Sequence, residues 1–358
     1  MKTMKYLMII GGGTIFSLAA DAACPSGYTH SSSSCDDPYT SSKPICELDS
    51  TNKQIFCDLG SATTSAELTI VEDYDTTTDD FEAWGEIDGN AFCCVIPEPP
   101  PTCPCDIEAV IVFGSLQEDT INFAYNDGGT LRHLQPSLSS ELTAWAFAGD
   151  DDDTIHGSGY GGTSGAEYTE YLCGMGAGDT INGHPGDDYI FGDCLTDHGF
   201  SVPSTTDSGQ SDGRDTLFGD YGDDTMYGDA DDDRMIGGPG DDYMQGDAGA
   251  DTLEGQQGVD TIYGGDGPDG IDGGPQDDYL YGDDGSDAVC GGPGDDLVHG
   301  TNPLTSSDGD VDELWPGGET YDKIRTCDNT DGDRYQTSVL DVTGGCSTSI
   351  STKPSGCP

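Results

Sequence analysis

Positive charge is what this chain most lacks: 11 Lys and Arg stand against 69 Asp and Glu in 358 residues, a formal net charge of -58. That imbalance excludes nucleic acid and anionic membrane surfaces as partners, because both would be repelled. Apolar residues are also scarce, at 33% of the chain. Large repulsion and little area to bury exclude an ordinary globular core, and on those terms alone the chain reads as disordered. If it folds, a counter-charge from outside has to neutralise it. Beyond the N-terminus no apolar run is long enough to span a bilayer.

Catalytic signatures are missing too. There is no H-E-x-x-H helix, and the six histidines, at 30, 133, 156, 184, 198 and 299, are scattered. No G-x-S-x-G elbow occurs; the segment 199–203 comes nearest. Gly157 to Gly162 fits G-x-G-x-x-G but has no strand–helix context. The run Asp328 to Asp333 lacks the spacing and final Glu of an EF-hand loop. Carboxylate pairs are so common that none stands out as a glycosidase dyad.

The N-terminus sets the compartment. Lys2 and Lys5 precede an apolar run from Tyr6 to Ala20, and Ala20 and Ala22 are small residues at the cleavage-determining positions. Residues 1–22 therefore read as a signal peptide, which makes the protein secreted, extracellular or cell-surface associated. Asp21 argues against a lipoprotein reading of Cys24, and Gly11 to Gly13 interrupt the run as a retained anchor. The 14 cysteines agree with export and suggest disulfides. Cys24, Cys35, Cys46 and Cys57 recur every eleven residues, with Cys93, Cys94, Cys103 and Cys105 following. Their connectivity stays open. Cys103 and Cys105 are too closely spaced for a zinc knuckle.

The expected organisation is a cysteine-rich module over 23–96, a Pro/Cys-rich linker over 97–105 and a degenerate repeat region over 106–209. A regular roll over 210–299, degenerate repeats over 300–335 and a cap or tail over 336–358 complete it. Short strands are expected at Ala66 to Val71, Ala91 to Ile96 and Ile107 to Phe113.

The repeat decides the fold class. From Gln210 to His299 the chain divides into ten nonapeptides, G-x-x-G-x-D-x-U-x with U apolar, without insertion or deletion. The sixth position is Asp throughout: Asp215, Asp224, Asp233, Asp242, Asp251, Asp260, Asp269, Asp278, Asp287 and Asp296. The eighth is always apolar, from Leu217 and Met226 to Val289 and Val298. Gly is absent from the fourth position only at Asp231 and Gln276. Upstream, Asp188 with Ile190 and Asp179 with Ile181 continue the pattern. The stretch between Gly183 and Gln210 reads as two degenerate turns. Asp153 with Ile155 and Asp119 with Ile121 are weaker copies out of register, and Asp322 with Ile324 is a downstream one.

Glycine permits positive φ, so each nonapeptide is a tight turn followed by a short strand whose U side chain points inward. Two nonapeptides close one coil. The expected fold is all-β, a parallel β-roll (a β-helix-like solenoid) with an N-terminal disulfide-rich module. Its apolar seam is thin, and residues 210–299 hold 24 Asp, one Glu and two Arg. Calcium suits that composition: it accepts six to eight oxygens from carboxylates and carbonyls, whereas magnesium demands a strict octahedron and zinc prefers nitrogen or sulfur. Stacked turns would share ions between their aspartates, giving about eight sites, four along each edge.

These residues resemble the hemolysin-type calcium-binding (RTX) repeat, G-G-x-G-x-D-x-U-x, which Gly237 to Gln245 and Gly291 to His299 match in full. The resemblance implies a β-roll with calcium held by the sixth-position aspartates; Asp179 and Asp188 join the ten as metal candidates. Many members of that family are exported by an uncleaved C-terminal signal and contain few cysteines, and this chain departs on both counts. The functional expectation is a secreted scaffold, structural or adhesive, folded by calcium and without catalysis. The alternative is an exported polysaccharide-active enzyme with its site in 106–209 and the roll as carrier. Tyr227, Tyr243, Tyr263, Tyr279 and Tyr281 are expected to face outward on one sheet, a candidate docking face for a glycan or protein.

Overall fold

A computed structural model describes residues 46–49, 54–60, 62, 64–73, 80–87, 90–96, 109–127, 130–133, 142–159, 168–193, 213–300, 313–315, 323–327, 334–336, 341–344 and 348–350. The segments expected to be a signal peptide (1–22) and a linker (97–105) lie outside them. Two long sheets face each other, of 13 and 14 strands, with one separate hairpin of Ala124–Asp127 and Thr130–His133.

The repeats build the sheets by alternation. Strands Tyr189–Phe191, Thr225–Tyr227, Tyr243–Ala248, Thr261–Asp266, Tyr279–Asp284 and Leu297–His299 are neighbours in the 13-stranded sheet. Thr180–Asn182, Thr216–Phe218, Arg234–Pro239, Thr252–Gln257, Gly270–Asp272 and Ala288–Cys290 are neighbours in the other. All pair in parallel, with each U residue opposite the next: Met226 with Met244 and Ile262, Leu217 with Met235 and Leu253. The coil is therefore two nonapeptides, as the pattern requires.

The seam runs through most of the described strands. One core cluster extends from Cys46 to Leu314, and the U side chains of the ten regular repeats are all fully buried. At its N-terminal end, parallel pairing joins Gln54–Asp58 to Ala109–Phe113 and Ala66–Asp73 to Asp119–Asn122. Strands from residues 46–96 thus hydrogen-bond into the same two sheets as the repeats. Asn90–Ile96, Asp80–Ile87 and Ala66–Asp73 form an antiparallel edge there, and Cys46–Cys57 is a disulfide across an antiparallel pair. Cys173 and Cys290, inside the roll, are disulfide-bonded as well.

The two degenerate turns expected between Gly183 and Gln210 add no strand to either stack: Ile181 pairs directly with Leu217, and Ile190 with Met226. Parallel pairing depends only on where the strands re-enter, whatever the length of chain between them.

The outer surface of the 13-stranded sheet carries aromatic rings along the roll. Tyr227, Tyr263 and Tyr281 project from one row, Tyr243 and Tyr279 from the next. The rings stack on each other: Tyr263 on Tyr281 at 4.5 Å and 6°, Trp145 on Tyr171 at 4.0 Å and 6°. Facing strands are about 4.8 Å apart, close to the optimum for stacked rings. In these pairs the ring faces turn toward each other, and Trp145 is itself buried among Phe113, Phe147 and Phe191.

Candidate metal centre

The turns between strands are conditioned by glycine. At Gly219 an added Cβ would lie 2.3 Å from Asp224 Oδ2 and 2.6 Å from the Gly237 carbonyl oxygen. Only a missing side chain lets a carboxylate and a carbonyl of the next coil approach that closely. The second and fourth positions alternate into positive φ, as at Gly238 (122°) and Gly240 (156°). Asp231 and Gln276, the two departures from glycine at the fourth position, also take positive φ, but at the smaller angles of 69° and 90°.

Every sixth-position aspartate from Asp215 to Asp296, and Asp179 and Asp188 with them, is buried. They form two columns. Along one, the backbone N–H of Asp179 donates to Oδ1 of Asp215, and the same bond runs from Asp215 to Asp233, Asp251, Asp269 and Asp287 at 2.6–2.9 Å. Along the other it runs from Asp188 through Asp224, Asp242, Asp260 and Asp278 to Asp296 at 2.8–2.9 Å. Each carboxylate except that of Asp188, whose two oxygens are both buried without a donor, thus commits Oδ1 to the preceding coil. Its other oxygen is left over: Oδ2 of Asp179, Asp188, Asp224, Asp233, Asp242, Asp251, Asp260, Asp269 and Asp278 is buried without a hydrogen-bond donor.

A buried carboxylate oxygen without a partner is costly. Burial, opposed by the backbone hydrogen bond and aided by neighbouring carboxylates, raises Asp233 to about 9, Asp242 and Asp278 to about 8 and Asp224 to about 7. Asp179 rises to about 10, through burial and the charge of Asp215. Where no further hydrogen-bond donor reaches it, a nearby positive charge is what makes such a site favourable as an anion. Few are at hand: Arg214 and Arg234 lie on the surface, each on an acid of its own sheet, Asp232 and Glu254.

The donor set fits a hard divalent cation. Among the described residues no three His, Cys, Asp or Glu side chains converge on one point, so a full shell has to draw on the carbonyls of the glycine turns. Oxygen-only, mixed carboxylate and carbonyl coordination is calcium chemistry.

Sequence reasoning missed one acid, and the structure aligns two out-of-register copies with the column. Glu170 occupies the sixth position one coil before Asp188, since Tyr171 pairs with Tyr189 and Leu172 with Ile190. It is buried, and its Oε2 accepts the Ser158 N–H at 2.8 Å. The signal was present as Glu170-Tyr171-Leu172-Cys173-Gly174, the repeat with one methylene added. Asp119 and Asp153 stand in line with Asp179 despite their irregular spacing, because Ile121, Ile155 and Ile181 pair in succession. Asp322 lies outside the described residues.

Fold and site together define a parallel β-roll with stacked glycine–aspartate turns. The family model for the RTX calcium-binding nonapeptide repeat matches in four copies, at residues 164–193, 211–244, 236–271 and 263–298. The chain carries RTX calcium-binding repeats across 164–298. Comparison with curated proteins gives no match. Among the described residues no helix is long and apolar enough to cross a membrane.

Proposed function

We propose that this is an exported scaffold protein in which calcium assembles the roll. The ions would be held between successive turns by Asp215, Asp233, Asp251, Asp269 and Asp287 on one edge, with Asp179 continuing that column. Asp224, Asp242, Asp260, Asp278 and Asp296 serve the other edge, continued by Asp188. The observation that carries this reading is the buried Oδ2 without a donor on each of Asp224, Asp233, Asp242, Asp251, Asp260, Asp269 and Asp278, carboxylates whose Oδ1 is already committed. Calcium supplies the missing charge there. The chain's own residues hold the aspartate backbones in register and clear the space beside Oδ2 with glycine. Export is supported by the N-terminal pattern of residues 1–22 and by the disulfides at Cys46, Cys57, Cys173 and Cys290.

A role in structure or attachment follows from where the acids go. They line the edges of a solenoid as repeating elements and do not converge on a single cleft. The test is a calcium titration of the mature chain followed by circular dichroism. A cooperative gain of β signal, reversed by chelator, is expected because the ion binds only folded turns. Equal β signal in excess chelator would refute calcium-driven assembly. Turnover of a polysaccharide by the same preparation would instead favour an exported enzyme carrying the roll.

A further inference from the structure

One turn outside the family match, 149–153, stacks on the matched turn 175–179 and carries the same leftover oxygen. Turn 149–153 runs Gly149-Asp150-Asp151-Asp152-Asp153, with no glycine at the fourth position of its nonapeptide. Asp153 is 2% exposed, and its Oδ2 has no donor. Its N–H donates to Oδ1 of Asp179 at 2.7 Å; Asp179 is 1% exposed and its Oδ2 also has no donor. Between the two turns, Gly176 N–H donates to the Gly149 carbonyl at 3.0 Å, and Gly178 N–H donates to Asp152 Oδ1 at 3.2 Å. The two turns are therefore clamped together with two buried carboxylate oxygens unanswered.

The turn above is closed differently. Asp119 is 3% exposed, yet both its oxygens are used. Oδ1 accepts from Ala66 N–H at 2.9 Å and Ser115 Oγ–H at 3.1 Å, and Oδ2 accepts from the Ser115 backbone N–H. Protein donors there do what a cation does further down.

We propose that a divalent cation of the calcium type binds between turns 149–153 and 175–179, held by Asp153 and Asp179, and that it is the first ion of its column. The inference rests on the reading that sixth-position aspartates hold calcium. It extends that reading to a turn that lacks glycine at the first and fourth positions and sets its limit at Ser115.

The test counts ions on the full mature chain by native mass spectrometry in calcium. Asp153→Asn keeps the Oδ1 acceptor and replaces Oδ2 by an amide nitrogen, which is no calcium ligand. It is expected to carry one ion fewer than wild type. Asp119→Asn is expected to carry the wild-type number. An unchanged count in Asp153→Asn overturns the site, and a lost ion in Asp119→Asn overturns the limit. If Asp153→Asn does not fold, hydrogen exchange on the wild-type chain decides: calcium has to increase protection over 150–156, and no change there sinks the proposal. A wild-type chain that binds no calcium would defeat the broader reading; a loaded wild type with an unchanged Asp153→Asn defeats only this one.

Discussion

The backbone N–H of Asp242 donates to Oδ1 of Asp260 at 2.9 Å, while Oδ2 of the same Asp260 is buried and meets no donor. One side chain thus ties two coils together and leaves an oxygen for something the chain does not provide. Repeated along both edges, that relationship links the stacking of the roll to the binding of cations.

Asp242→Asn and Asp241→Asn separate the two jobs. Asp242 is buried with a leftover oxygen; its neighbour Asp241 is exposed and accepts from Val259 N–H at 2.8 Å. Asp242→Asn should move the calcium midpoint for folding several-fold higher. Asp241→Asn, a surface change that keeps its acceptor, should alter stability by no more than about 0.5 kcal/mol. Calcium titrations of the two variants side by side check this, and equal midpoints would contradict it.

Metal-free folding should depend on pH in an unusual direction. The folded-state values of Asp233, Asp242, Asp269 and Asp278 lie at about 8 to 9, raised above the ordinary carboxylate value of 3.8 mainly by burial. A carboxyl raised on folding favours the folded state while protonated, so its contribution is complete below about pH 4 and lost as pH climbs through 8 to 9. In chelator the β signal should therefore be larger at pH 5 than at pH 9. Saturating calcium should remove the difference. Stronger metal-free folding at pH 9 would count against the buried placement of these aspartates.

The seam should be intolerant of truncation. Leu253 is fully buried between Met235 and Ile271 of adjacent coils. Leu253→Ala should cost about 2–5 kcal/mol in saturating calcium, read from thermal melts. Thr252→Ala, on the outward side of the same strand, should cost far less.

The tyrosines have a structural use that a double-mutant cycle can measure. Tyr263 and Tyr281 are stacked at 4.5 Å. Replacing each and then both by Thr should reveal a coupling of about 0.5–1.5 kcal/mol. No coupling would return the row to the status of a free surface.

Legibility in the sequence tracked regularity. From Gln210 to His299 the fixed period gave strands, register, seam and aspartate columns together, because in a solenoid a one-residue slip would expose every U residue. Upstream the period fails: successive column members Asp119, Asp153, Asp179 and Asp215 are 34, 26 and 36 residues apart. Space restores an order that counting loses, since parallel pairing fixes Ile121, Ile155, Ile181 and Leu217 in line regardless of the loops between them. Glu170 escaped notice because the pattern was written for aspartate. The entry of Ala66–Asp73 into the sheet beside Asp119–Asn122 could not be read at all. Nothing in a single strand's composition names its partner. The aromatic rows were visible as outward tyrosines, but their mutual stacking needed coordinates.

The parallel register also sets a length. Each coil advances the roll by one strand spacing, about 4.8 Å, so the five coils from Thr216–Phe218 to Leu297–His299 span about 24 Å. The same residues, 213–300, would reach about 300 Å at full extension. Starting from a taut chain, folding this segment would therefore draw in its two ends by roughly tenfold. A chain anchored at one end would draw whatever hangs from the other toward the anchor, coil by coil.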